Sequence, residues 1–297
     1  MLRIFLVLLC GFAGIAVAEP LRVAVTVPPQ AYFVERVGGN HVKVDVMMPS
    51  AVSHEQYTPS PKQMFALSRA QLYVKVGHPA LGIEVRAIVP YLQTHPGIRV
   101  VSMSAGMAYR DLPAHADNAS TDGTEQGAHT DEDAGDPHVW VAPASVAVAV
   151  RNIAAALSDL DPTHRAEYAD NAQQFLADIA ALDAEISATL KPLSERRFMV
   201  YHPAWGYFAD QYGLEQIAIE TGGKSPSPER LTKLIDLARQ QGVKVVFVQK
   251  GFATKSAQVI ARELGAQVVE VDPLAKDWLA NMHLVAKTFE RAMSDGR

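Results

Sequence analysis

Short apolar runs, each closed by proline or glycine, alternate along this chain with longer stretches whose apolar residues recur every three to four positions. Residues 21–27 (LRVAVTV) read as a buried strand, and 29–37 as a helix stopped by Gly38 and Gly39. Residues 42–48 form the next strand. Ser60 and Pro61 then open a helix, with proline at its first position. A strand over 70–76, a helix over 81–92 and a short strand over 98–102 follow. Beyond the middle of the chain the pattern predicts helices over 142–160 and 163–190, then strands over 198–201, 216–219, 243–248 and 267–271 with helices between and after. Strands alternating with helices argue for parallel sheets built of βαβ units. The expected fold is therefore α/β: two lobes, each a parallel-type sheet flanked by helices. The uninterrupted helix over 163–190 spans roughly 40 Å and can act as a strut between the lobes.

The periodicity fails over 113–136, PAHADNASTDGTEQGAHTDEDAGD. This segment has seven acids, two histidines and no lysine, arginine, aromatic or branched aliphatic residue. It lacks the apolar surface needed to order itself and reads as a mobile acidic loop. Order returns at Asp136-Pro137-His138-Val139-Trp140. The expected organisation is 1–18 as a signal peptide, 19–160 as an N-terminal lobe, 161–192 as a linking helix and 193–297 as a C-terminal lobe.

The first residues change the picture of where the protein works. Arg3, an apolar run to Val17 and Ala16-Val17-Ala18 make a secretory signal with a small-x-small cleavage site. The run is short for a membrane span, and the residue before Cys10 is leucine, which argues against acylation. Cleavage takes the formal net charge from −5 to −6 by removing Arg3. It also removes the only cysteine, so the mature chain forms no disulfide even in an oxidising compartment. No basic stripe suggests nucleic acid.

Without thiolates, a tetrahedral zinc site draws on imidazole and carboxylate. His54, His138, His202 and Asp272 each open a loop where a strand-like run or ordered segment meets its neighbour. In open parallel sheets, ligands bind beyond the carboxyl ends of strands. If those ends of the two sheets face each other, all four side chains can meet in the cleft between lobes. Three imidazoles and one carboxylate favour Zn2+ over Mn2+.

The loops around these residues carry a resemblance that covers nearly the whole mature chain. The His54-Glu55-Gln56-Tyr57-Thr58-Pro59 loop, Asp-Pro-His-x-Trp at His138, His202-Pro203-Ala204-Trp205-Gly206-Tyr207-Phe208 and Asp272-Pro273-Leu274 are similar to motifs of the metal-binding (zinc/manganese) periplasmic solute-binding proteins of ABC transporters, the ZnuA/TroA-like family. The resemblance implies that these four positions are the metal ligands, two from each lobe, with a long helix joining the lobes. It implies a zinc-type member, because manganese members tend to place a carboxylate at the third position. It also implies delivery of Zn2+, as cargo, to a membrane ABC permease by a monomer, with an upstream metallochaperone as a further partner. The chain departs from the family in one apparent extra residue between His54 and Pro59, which opens a ligand role to Glu55. Its acidic loop is also poor in histidine for a zinc member.

Bland readings stand beside these. His78 follows a strand and rivals the four candidates, though capping or hydrogen bonding in its own loop explains it better. His41, His95, His164 and His283 read as exposed residues of turns and helices. For His115 and His129, plain disorder competes with transient metal capture at the cleft mouth, where the acidic field gathers cations. Trp140 and Trp205 read as packing that locks the ligand loops, and Glu220 and Glu270 as carboxylates able to orient an imidazole. A secreted zinc hydrolase is disfavoured: four protein ligands close the site, and no His-Glu-x-x-His motif is present. The same scaffold carrying manganese or iron, or serving as a periplasmic zinc chaperone or adhesin, remains a rival.

Overall fold

The computed structural model describes residues 19–50, 52, 57–110, 135–220, 223–250 and 255–294. The signal segment, His54 with Glu55, the acidic segment with His115 and His129, and the extreme C-terminus lie outside them.

The first half builds a four-stranded sheet from β1 (Leu21–Val25), β2 (Val42–Val46), β3 (Leu72–Lys75) and β4 (Arg99–Ser102), in the order β2-β1-β3-β4. The second builds β5 (Arg197–Val200), β6 (Glu215–Ala218), β7 (Val245–Gln249) and β8 (Gln267–Val271) into the order β6-β5-β7-β8. Among the described residues, every pairing of these strands is parallel. In each sheet the first strand lies between the second and the third, so the strand order reverses there and a crevice opens at the carboxyl ends. The central strands are apolar on both faces, as helix-covered parallel strands must be: Val23–Val25 and all five residues of β7 are buried.

Local chemistry sets the helix starts. α1 (Pro28–Gly38) opens on two prolines, with the Gln30 side-chain oxygen accepting from the Thr26 and Val27 amides at 2.9 and 3.0 Å. Ser60 caps α2 (Pro61–Ser68), and Gln63 reaches back to the Ser60 amide at 2.8 Å. The helix expected over 81–92 is instead a π-helical turn, Glu84–Ile88, followed by the short α3 (Val89–Gln93). Pro90 has no amide to donate to the preceding turn, and the Glu84 carboxylate is drawn onto the Val76 and Gly77 amides at 2.6 and 2.9 Å. α4 (Pro143–Leu160) follows the acidic segment. The long helix begins two residues later than expected, as α5 (Arg165–Leu190), because Pro162–His164 form a 3-10 turn.

The second half adds α6 (Gly206–Tyr212), α7 (Pro228–Gln240), α8 (Lys255–Leu264) and α9 (Trp278–Ser294). α5 packs against α1 and α4 on one side and α9 on the other. Phe33 of α1, Phe175 of α5 and Trp278 of α9 meet edge-on or tilted, with ring centroids 5.5 to 6.4 Å apart. One apolar core therefore runs from the first sheet through α5 and α9 into the second. A smaller cluster covers the other face of the second sheet, between α7 and α8. No helix among the described residues is long and apolar enough to cross a membrane.

Candidate metal centre

His202 stands two residues past the end of β5, beside the point where the second sheet reverses. His138 enters from the first half, where Asp136 leads into the 3-10 turn Val139–Val141. Both rings are buried, and their Nε2 atoms face each other at 3.1 Å. Each Nδ1 is held by a buried carboxylate. Asp136 Oδ1 takes His138 Nδ1 at 2.8 Å and the His138 amide at 2.9 Å, while Glu220 holds His202 Nδ1 in a short hydrogen bond. A carboxylate on Nδ1 fixes the proton there, which leaves the Nε2 lone pair for a cation. Two such lone pairs opposed at 3.1 Å repel unless something positive bridges them. Two nitrogens bound tetrahedrally to zinc at about 2.0 Å stand roughly 3.3 Å apart, so this pair is close to that spacing.

The surroundings are built to keep the rings in place. Asp136 lies 3.6 Å from the Arg110 guanidinium, which also donates to Asp210 Oδ2 of α6 at 2.7 Å. Gly206 opens α6 directly against Asp136: a Cβ there would fall 2.4 Å from Oδ2, so any side chain would displace the carboxylate that holds His138. The Trp140 indole donates to the Pro273 carbonyl at 2.8 Å, and the Trp278 indole to the Trp140 carbonyl at 2.7 Å. This chain of bonds ties the His138 loop to the Asp272 loop. Trp205 packs on Phe208 and Phe289 beneath the His202 loop.

Asp272 opens the loop after β8, with its Oδ1 accepting from the Leu274 amide at 2.8 Å and its carbonyl accepting from Asn281 at 2.8 Å. Burial raises its carboxyl above the ordinary range and Glu270 adds to that, while the Leu274 amide and Lys250 pull the other way. Pro273 and Leu274, rather than the carboxylate, line the pocket with His138, His202, Trp140 and Gln249. Among the described residues, the two imidazoles and Asp272 do not form a cluster with all ligand atoms within 4.8 Å of one another. The structure thus brings His138 and His202 together, sets Asp272 beside them turned onto its own loop, and leaves His54 outside the described residues.

Two participants have no role assigned from sequence. Asp136 enters there only as part of the Asp-Pro-His-x-Trp motif, although its place two residues before His138 is the signal for its bond to that ring. Gln249 gives no sequence signal; it ends β7 and turns a buried, unbonded side-chain oxygen towards the pocket region. His78 caps its own loop, with Nδ1 accepting from the Ala80 amide at 3.1 Å and Tyr109 set edge-on at 4.3 Å. Burial pushes its pKa down to about 4, against the pull of Asp136 and with the help of His138.

A zinc-uptake family model, described as the periplasmic component A of the zinc-uptake complex, matches residues 23–292. The high-affinity zinc uptake system protein ZnuA of Bacillus subtilis (strain 168) is 28% identical over 261 residues, covering 86% of this chain and 79% of its own. A crystal structure of ZnuA superposes with a TM-score of 0.83 at 36% identity, over 93% of this chain and all of that one. A ZnuA deletion mutant with zinc bound gives 0.81 at 35% identity, over 93% of this chain and 98% of that one. The match spans both sheets and the paired imidazoles between them, and this chain belongs to the family of periplasmic zinc-uptake components, which are solute-binding proteins of metal importers and not enzymes.

Proposed function

We propose that this protein captures Zn2+ between its two sheets through His138 and His202, with His54 and Asp272 completing the ligand set, and hands the ion to an ABC permease. The reading rests on one observation: two buried imidazoles, each fixed by a carboxylate, oppose their Nε2 atoms at 3.1 Å. A nitrogen-rich pair suits zinc over manganese. Binding turns Asp272 from the Leu274 amide to the ion, where the cation's charge favours the ionised form that burial disfavours. Coordination needs neutral imidazoles, so affinity falls as the pH drops and the rings take up protons. The protein works as a monomer, exported by cleavage after Ala18.

The test is a titration of the mature, metal-stripped protein with zinc and manganese in competition. One tight zinc equivalent is expected, lost in His54→Ala, His138→Ala and His202→Ala and much weakened in Asp272→Ala. Preference for manganese overturns the cargo, and tight zinc that survives both His138→Ala and His202→Ala overturns the site. Zinc uptake by cells lacking the protein separates transport, in which uptake falls, from a chaperone role, in which it does not.

A further inference from the structure

We propose that His41, His164 and Glu167 form a second divalent-cation site, of zinc-like preference, at the end of the first lobe away from the cleft. It is independent of the site between the sheets. His41 closes the turn just before β2, at the amino end of that strand, whereas the cleft lies at the carboxyl ends. His164 ends the turn between α4 and α5, and Glu167 sits in the first turn of α5. Sequence alone makes His41 and His164 ordinary exposed residues of segments more than a hundred residues apart, and gives Glu167 no role.

The fold instead stacks the two imidazoles, with centroids 3.7 Å apart and planes within 22°. It sets His41 Nε2 2.8 Å from Glu167 Oε2. One ligand atom from each of the three residues lies within 4.8 Å of the others, and among the described residues this is the one such group of three. Tetrahedral zinc asks for separations of roughly 3.3 Å, and each imidazole lone pair lies in its ring plane, so closure draws the three groups together and turns the two partly exposed rings out of their near-parallel stack.

A further feature points to a ligand. His164 Nδ1 is bonded to Asp161 Oδ2 at 2.5 Å, and the same oxygen accepts from Tyr168 at 2.8 Å. Burial works against ionisation of Asp161, but the bonds from His164 and Tyr168 outweigh it and hold the carboxyl below its usual range. An ionised carboxylate on Nδ1 leaves Nε2 as a lone-pair donor, the same arrangement that Asp136 and Glu220 impose on His138 and His202. Two imidazoles and one carboxylate are a three-ligand set, with water left to fill the fourth position. The positive end of the α5 dipole opposes the cation, and Glu167 is exposed, so this site is the weaker of the two.

The experiment is a calorimetric zinc titration of the mature, metal-stripped protein, followed by the same titration of variants. Wild type is expected to take up a weaker equivalent after the tight one. His41→Ala or His164→Ala removes the weaker equivalent and leaves the tight one. The double variant His138→Ala/His202→Ala does the reverse, so failure of one site is distinguishable from failure of the other. Asp161→Asn keeps the packing and lowers the weaker affinity by about tenfold or more. Cobalt absorption in the His138→Ala/His202→Ala background gives a second readout, expected to vanish with His41→Ala. No weaker equivalent in wild type, or one that survives both His41→Ala and His164→Ala, overturns the proposal.

Discussion

At His138 and His202 the ring nitrogens that face away from the pocket decide what the facing ones can do. Asp136 and Glu220 hold Nδ1, so both Nε2 atoms present lone pairs. Asp136→Asn or Glu220→Gln keeps the shape but removes the charge, and zinc affinity should fall about 10- to 100-fold; an unchanged competition titration would sink the role given to these carboxylates. His78 carries a different prediction. Its folded pKa near 4 lies below the ordinary 6.5, so between those values the unfolded chain binds more protons than the folded one. Stability of the metal-free protein is therefore full above pH 6.5 and declines as pH falls towards 4. Melting curves at pH 7 and pH 5 should differ by a few degrees more in wild type than in His78→Phe; equal differences would remove His78 as the source. The two imidazoles were legible because His-Pro-Ala-Trp-Gly and Asp-Pro-His-x-Trp are local patterns. Stacking of His41 on His164 was not legible, because no local pattern tells which distant turn another turn will meet.

At the scale of elements, the acidic segment enters and leaves through a closed stem. The Asp136 amide donates to the Arg110 carbonyl at 2.9 Å, and the Arg110 amide to the Tyr207 hydroxyl at 2.9 Å. Gly135 makes this closure with φ of +85°, where a Cβ would fall 2.8 Å from that carbonyl. Since the stem holds itself together, deleting residues 116–134 should leave the metal-free melting temperature unchanged; a clear loss would show that the segment braces the fold. The strand-and-helix alternation was readable from periodicity almost throughout. The π-helical turn at Glu84–Ile88 was not, because beside the local Pro90 it depends on contacts that periodicity does not show: Glu84 bonding to the amides just past β3. The indole bonds are likewise long-range. Trp140→Phe loses the donor to Pro273, at a cost of about 1–3 kcal/mol with that carbonyl left unpaired. Lower thermal stability and faster zinc release are expected together, by melting and by stopped-flow chelation. Faster release without destabilisation, or the reverse, would separate the two roles.

Across the whole molecule, α5 and α9 carry one apolar core through both halves, so the boundaries expected at 160 and 192 mark changes of sheet more than changes of core. Opening by a wide hinge would tear Phe33 and Phe175 from Trp278 and expose that core. Zinc should therefore leave the radius of gyration from small-angle X-ray scattering unchanged within error, with rearrangement confined to the ligand loops; a clear compaction would contradict the shared core. The sheet order was not written in any local pattern, and its repetition in both halves emerges only from strand pairing. The hydrogen-bonded indoles have an optical consequence. The chain's three tryptophans are all buried, one beside His138, one three residues after His202 and one bonded to the first. Trp140 lines the pocket and meets the His138 ring edge-on, so the intrinsic fluorescence of the unlabelled protein is expected to change on loading, through that one indole.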